Sequence, residues 1–327
     1  MNGILNIIKP IGMTSHDVVF KVRKKLRIKK VGHTGTLDPN ASGVLPICVG
    51  QATKISQFLL EKEKAYRTTC RLGIVTDTQD LDGKVLEEKP VEVTTEAIEK
   101  ALLDFQPGYD QLPPMYSALK VKGRKLYEYA REGIDVPRDK RRVELQTLRL
   151  IDHRDKEFSL EVVCSKGTYI RTLCHDIGEK LSTGGTMAAL ERTVSGPFTI
   201  EKGVHLEEFL QLEPEDIEKL LYPVDYPLAH LPKYPVGKDQ EKLALNGNKM
   251  PLSDEDLKML KDSKQSTKQE ANQDPKQEAN QDPKQEAEQN PAEIQQYRIY
   301  VEDRFIGIGK IITEENTEKM KFVKVIL

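Results

Sequence analysis

Residues 268–291 read KQEANQDP, KQEANQDP, KQEAEQNP, an unbroken tandem repeat of eight-residue units with no aromatic and no large apolar side chain. Such a segment has nothing to bury and cannot offset the entropy of its own ordering, so it is expected to be a disordered insertion. Its period is far too short for a solenoid. The fold must be built from the residues on either side, and a length of 327 suggests two domains rather than one.

The formal net charge of −2 hides an uneven distribution. Residues 264–293 carry four Lys against seven acidic residues, which leaves the remainder of the chain at +1. Residues 1–35 concentrate Lys9, Arg23, Lys24, Lys25, Arg27, Lys29 and Lys30 around the single acid Asp17, and residues 120–142 hold nine Lys or Arg against four acids. Basic stretches on a near-neutral chain are what a polyanion-binding face requires, because each phosphate contact releases counterions; a solvated surface would carry the same pattern. The four cysteines, Cys48, Cys70, Cys164 and Cys174, form no CxxC pair and no Cys/His ligand spacing. They read as reduced core thiols, and no metal site is expected. No run approaches the roughly 20 apolar residues of a membrane helix, and residues 1–15 lack the layout of a signal peptide. The expectation is a soluble cytoplasmic protein without membrane association.

Hydrophobic periodicity mixes helix and strand. Thr14-x-x-Asp17 has the form of a capping box, and Val18, Val19, Val22 and Leu26 follow at helical spacing toward a basic C-terminal end. Tyr66, Thr68, Cys70 and Leu72 alternate as in a strand, and Asp82-Gly83 signals a hairpin turn. Ala97, Ile98, Ala101, Leu102 and Phe105 predict a helix, residues 143–151 and 158–164 two strands, and Ile170, Leu173, Cys174, Ile177 and Leu181 a further helix opening near Thr168. Residues 1–230 thus read as an α+β domain with a mixed sheet. Beyond the proline-rich stretch 222–235, the β-like segments 298–301, 305–312 and 321–327 predict a small β-rich domain over 231–327, interrupted at about 262–294 and of the compact-barrel kind.

The densest chemical signal is residues 32–50, GHTGTLDPNASGVLPICVG, where four glycines and two prolines in nineteen residues dictate an irregular loop. Such loops position side chains, and this one contains one His and one Asp, the latter restricted to extended geometry by Pro39. An ordinary turn in which Asp38 only caps the next segment fits equally well. No Gly-Lys-Ser/Thr ending is present, which disfavours nucleotide hydrolysis.

The stretch GHTGTLDPNASGVLPICVGQATK resembles the catalytic signature of the bacterial TruB family, the tRNA pseudouridine-55 synthases. The resemblance continues in order through LNIIKPIGMTS, KAYRTTCRLGIVTDTQDLDG, PPMYSALKVKGRKLYEYAREG and SKGTYIRTLCHDIG, covering residues 1 to about 230. It implies a pseudouridine synthase catalytic domain with a mainly antiparallel sheet, followed by a PUA-like RNA-binding barrel; the octad repeat departs from the family pattern. It also implies the reaction: a uridine in RNA is detached at N1, turned and rejoined through C5, with no redox change and hence no cofactor.

By the same resemblance Asp38 is the essential aspartate, which attacks C1′ or removes a sugar proton to give a glycal; the sequence leaves both routes open. Tyr66 matches the tyrosine stacked under the target base and proposed to help remove the C5 proton. Arg171 matches the arginine that pairs with the carboxylate, which a guanidinium can hold bidentately. Tyr169 matches a position near the flipped nucleotide, and His33 the histidine that fills the gap left by the extruded base. Lys9, Lys120 and Lys122 are the basic residues expected nearest the RNA phosphates. The implied activity is isomerisation of the uridine at position 55 in the T arm of tRNA, by a monomer needing no protein partner. A non-catalytic RNA-binding or folding factor on the same scaffold is the alternative, and a guide-RNA-dependent relative a third reading.

Overall fold

The computed structural model describes residues 1–260 and 295–326, so the octad repeat and its predicted disorder lie outside the described residues. The chain forms two units. One is built from Leu5–Ile47 and Leu59–Leu220, the other from Met1–Ile4, Cys48–Phe58 and Leu221–Leu327.

The first unit is organised by one large sheet. Its strands are β1 (Gly3–Lys9), β2 (Val31–His33), β3 (Ala41–Val49) and β4 (Lys64–Leu72), then the small hairpin strands β5 (Ile74–Thr76) and β6 (Val85–Glu88), then β7 (Gly108–Gln111). A second small hairpin follows, β8 (Lys120–Val121) with β9 (Arg124–Lys125), and then β10 (Arg141–Arg154), β11 (Glu157–Cys164), β12 (Gly185–Ser195), β13 (Phe198–Thr199) and β14 (Val204–His205). The helices wholly within this unit are α1 (Ser15–Leu26), α3 (Thr95–Leu103), α4 (Leu126–Arg131), α5 (Ile170–Lys180), α6 (Leu206–Gln211) and α7 (Pro214–Lys219), while Ser56–Phe58 of α2 (Ser56–Leu60) falls in the second. The sheet runs β14-β1-β3-β12-β4-β11-β10-β7, with β2 against β3 and β13 against β12. β1–β14 and β3–β12 are parallel, while the β12–β4–β11–β10–β7 run is antiparallel, so this is the mixed, mainly antiparallel α+β sheet expected.

Local chemistry explains the elements that matter for function. The Thr14 side chain accepts from the Asp17 N–H and Asp17 returns the bond, completing the capping box that starts α1; Val18, Val19 and Val22 are buried. β4 and β11 pair in register from Lys64↔Cys164 to Arg71↔Glu157, and β12 flanks β4 on its other edge, which makes β4 a central strand. Gly43 has φ +107° and lies so close to β12 that a Cβ there would sit 2.2 Å from the Arg192 carbonyl oxygen; only glycine permits this parallel approach. Gly178 plays the same part in α5, where a Cβ would meet the backbone of Gly185 at 2.3 Å.

The second unit contains the sheet β15 (Lys233–Pro235), β17 (Gln296–Val301), β18 (Arg304–Glu314), β19 (Thr317–Val325) and β16 (Met250–Pro251), in that spatial order. Its core gathers Tyr234, Met250, Tyr297, Ile299, Ile306 and Met320. Among the described residues it forms a curled half-barrel sheet, in keeping with the PUA-like domain expected. Within the same unit, Ile4 and Tyr222 exchange backbone hydrogen bonds of 3.0 and 2.9 Å.

Candidate active site

The glycine-rich loop is fixed residue by residue. The buried Ser15 hydroxyl accepts from the Leu37 N–H at 2.8 Å and donates to the Leu37 carbonyl at 3.0 Å. Two residues on, the Pro39 carbonyl accepts from the Gly12 N–H at 2.9 Å and from Lys9 Nζ at 3.1 Å. The Ala41 N–H donates back to the Asp38 carbonyl at 3.1 Å. Asp38 therefore projects from backbone tied down on both sides, and the ties come from the Lys9–Ser15 motif.

Lys9 requires a correction. It has no exposed surface, and Nζ also donates to the carbonyls of Pro10 at 2.8 Å and Met13 at 2.7 Å. All three ammonium protons are committed to backbone oxygens, so this lysine holds the loop and presents nothing to a phosphate. Burial lowers its pKa to about 8, against the opposing pull of Asp38.

The Asp38 carboxylate faces Arg171, whose Nε lies 3.1 Å from Oδ2. Arg171 itself is nearly buried: Nη1 donates to the Thr78 carbonyl at 3.1 Å and to Asp80 at 3.3 Å, and Nη2 to the Tyr116 carbonyl at 2.9 Å. The contact to Asp38 is single rather than bidentate because the rest of the guanidinium is spent on those fixed partners. Burial raises the Asp38 pKa, and Asp80 and Asp82 add to the rise, while Arg171 and Lys9 oppose it. With 41% of its side chain exposed, the carboxylate remains reachable.

It opens into a cavity of about 670 Å³, lined among others by Asp38, Tyr66, Asp80, Tyr116, Tyr127, Arg131, Tyr169 and Arg171. That volume falls in the range of small-ligand sites and admits one nucleotide. Tyr66 enters from β4, where it stands directly opposite Arg192 of β12 and Val162 of β11. Burial raises its phenol pKa. Tyr169 caps α5, and the Gln111 side chain clamps its backbone, accepting from its N–H at 2.8 Å and donating to its carbonyl at 3.0 Å.

The other predicted residues lie apart from this lining. His33 ends β2, half-buried, with its pKa lowered by burial and by the Arg192 charge. Lys120 and Lys122 are exposed on the β8–β9 hairpin, whose turn takes Lys122 at φ +50° and Gly123 at φ +84°. Lys120 pairs directly across from Lys125, a like-charge arrangement that is unfavourable unless an anion covers it.

Two polar residues of the site were not singled out from the sequence. Asp80 sits in TDTQDLDG, where three aspartates in a turn look alike. Arg192 left a clearer mark: it stands two residues after the buried Leu190, so a period-2 reading of β12 would have put a charge on the buried face.

A cavity lined by a guanidinium-paired carboxylate and four tyrosines, in a unit built on a mixed sheet that also carries a basic hairpin, has the features of an enzyme that handles a nucleotide unit of a polyanion. The chain matches the TruB family pseudouridylate synthase N-terminal domain over residues 23–170 and the tRNA pseudouridylate synthase B C-terminal domain over residues 171–229. It belongs to the TruB family. It is 54% identical over 250 residues to the tRNA pseudouridine synthase B of Alkaliphilus oremlandii, covering 76% of this chain and 83% of that one. The Clostridium tetani protein of the same name is 38% identical over 328 residues, the whole of both chains. Among solved structures, a Cbf5-Nop10-Gar1 complex superposes with a TM-score of 0.68 at 25% identity over 99% of this chain and 85% of its own.

Proposed function

We propose that this tRNA pseudouridine synthase acts on the uridine at position 55, in the T arm, by flipping the nucleotide into the 670 Å³ cavity beside Asp38. The observation that carries the reading is the pairing of Asp38 with Arg171 at 3.1 Å inside an aromatic-lined cavity. The guanidinium keeps the carboxylate ionised against its burial and aims it at the sugar, where it acts at C1′ or C2′. Tyr66 and Tyr169 supply the ring faces between which an extruded base can lie. The Lys120–Lys125 hairpin supports a phosphate contact beside the cavity, and the second unit's sheet supports a PUA-like RNA-binding role for residues 231–327. The reaction is an isomerisation, so the residues of the cavity suffice without a cofactor or a partner subunit, and we assign the protein to the cytoplasm as a monomer. His33 is assigned to the RNA stack left open by the flipped base.

The test is carbodiimide mapping of pseudouridine in a bare tRNA transcript incubated with the pure protein and with Asp38→Asn. Wild type is expected to modify one position, and Asp38→Asn to bind the tRNA while losing several powers of ten in rate. Residual turnover within about tenfold of wild type would remove Asp38 from its role. Modification that appears only after a further RNA or protein is added would favour the guide-dependent reading.

A further inference from the structure

Arg192 is a charge the established reading does not use. It is fully buried, with Nε donating to the Val44 carbonyl at 2.8 Å and Nη2 to the Gly35 carbonyl at 3.1 Å. Among the described residues it makes no ion pair with a carboxylate. Its electrostatic neighbours are themselves cationic or neutral: its charge depresses Lys9, Lys64 and His33 alike. A buried cation without a counter-charge is costly, and removing water from it without a carboxylate in exchange needs a reason.

The group it does face is Tyr66. The two are directly opposed across β4 and β12, on one face of the sheet, which sets the guanidinium charge beside the phenol. Tyr66 in turn lines the cavity with Asp38.

We propose that Arg192 is a positioning residue that holds Tyr66 as a proton shuttle and balances the phenolate formed between its two proton transfers. This rests on the reading of the cavity as the uridine site. Isomerisation moves one proton from C5 to N1. Cleavage of the N1–C1′ bond leaves the electron pair on the uracil, and the Tyr66 hydroxyl gives its proton to that anion at N1. Once C5 has bonded to C1′, the C5–H electron pair returns to the ring to restore its double bond, and the proton goes to the Tyr66 oxygen. Atoms and charge balance with no outside base, and the tyrosine ends as it began. Between the steps Tyr66 is an anion in a buried place, and Arg192 is the only group directly opposite it on β12. The resting state agrees: burial keeps the phenol protonated, and Arg192 is the largest influence in the other direction.

The experiment uses tRNA carrying deuterium at C5 of the target uridine, with single-turnover rates at saturating enzyme for wild type, Tyr66→Phe, Arg192→Lys and Arg192→Gln. Melting curves and tRNA binding are measured alongside. Arg192→Lys is expected to slow product formation about tenfold with binding within about twofold, and to raise the isotope effect above wild type, as Tyr66→Phe does, because C5 proton removal becomes limiting. In the Tyr66→Phe background, adding Arg192→Lys should cost less than about twofold, since both act through one group. A merely structural arginine would lower rate and melting temperature together, leave the isotope effect unchanged and multiply with Tyr66→Phe; that result overturns the proposal. Should neither Arg192 variant fold, Tyr66→Phe alone decides, because an unchanged isotope effect there removes the shuttle. If instead Asp38→Asn keeps wild-type turnover, it is the site assignment that has failed.

Discussion

Lys9 and Lys120 stand in two stretches that look alike in sequence, each a cluster of positive charge beside motif residues, yet the folded chain uses them in opposite ways. Lys9 is sealed at the end of β1 with every proton on a backbone carbonyl, while Lys120 is exposed on a two-stranded hairpin opposite another lysine. Where a cation finds three carbonyls it becomes scaffold, because only the charged amine can satisfy all of them at once. Where it finds a like charge across the strand it stays available, because the energetic demand is for an anion from outside. The loop that carries Asp38 is tied down by the first arrangement, and the β8–β9 hairpin offers positive charge at its surface on account of the second.

The largest expected break in this comparison comes from Lys9→Met, which keeps the apolar stem and removes the donor. The carbonyls of Pro10 and Met13 lose the Nζ bond, whereas that of Pro39 keeps the Gly12 N–H. Unpaired buried carbonyls cost about 1–3 kcal/mol each, partly offset because the buried cation disappears too. A net loss of about 1–3 kcal/mol, read as a fall of roughly 2–10 °C in Tm, is expected. Slippage of the Asp38 loop should cost about a hundredfold in single-turnover rate at saturating tRNA. The salt dependence of tRNA binding should not change. If it flattens while Tm and rate hold, Lys9 reaches the RNA after all.

A smaller and opposite effect is expected on the exposed side. Lys120→Ala with Lys122→Ala should weaken tRNA binding and flatten the plot of log affinity against log salt by up to about two. The rate at saturation should hold, and Tm should stay level or rise slightly as the Lys120–Lys125 opposition is relieved. Binding isotherms at several salt concentrations check this. Parallel slopes would return both lysines to solvent, and a collapsed saturated rate would place them in the cavity.

This contrast marks what the sequence could convey. Alternation in 66–72 and helical spacing in 18–26 located β4 and α1, since a two-fold or 3.6-fold apolar period follows from one buried face. Asp38, Tyr66, Tyr169 and Arg171 were legible through the family signature and do line one cavity. The depth of a charge was legible only in part: the alternation of β12 places Arg192 on a buried face, but no local pattern states that it will meet the Val44 carbonyl of β3, or that Lys9 will reach the Pro39 carbonyl thirty residues on. Asp80 reaches Arg171 across 91 residues of sequence, so its place in the site depends on the hairpin β5–β6 lying over the start of α5. The strand ends of the C-terminal sheet also differ from the periodic reading, with β19 ending at Val325 and Leu327 outside the described residues.

The smallest expected effect sharpens the buried half of the comparison through pH. The folded chain holds the Lys9 proton only to about pH 8, because burial penalises the ammonium, while the unfolded chain holds it to the ordinary 10.5. Between those values the unfolded state binds more protons, so stability gains with rising pH from this group, and below about 8 the full burial cost is present. Lys9→Met carries no titrating group, so the stability of wild type relative to Lys9→Met should rise as pH goes from 8 to 10.5, by at most about 3 kcal/mol. Urea denaturation of both proteins at half-unit steps across that window reads the difference directly, since every other titrating group is common to the pair. A constant difference would show that the amine keeps its proton throughout, and the three carbonyls would then have to compensate its burial almost completely.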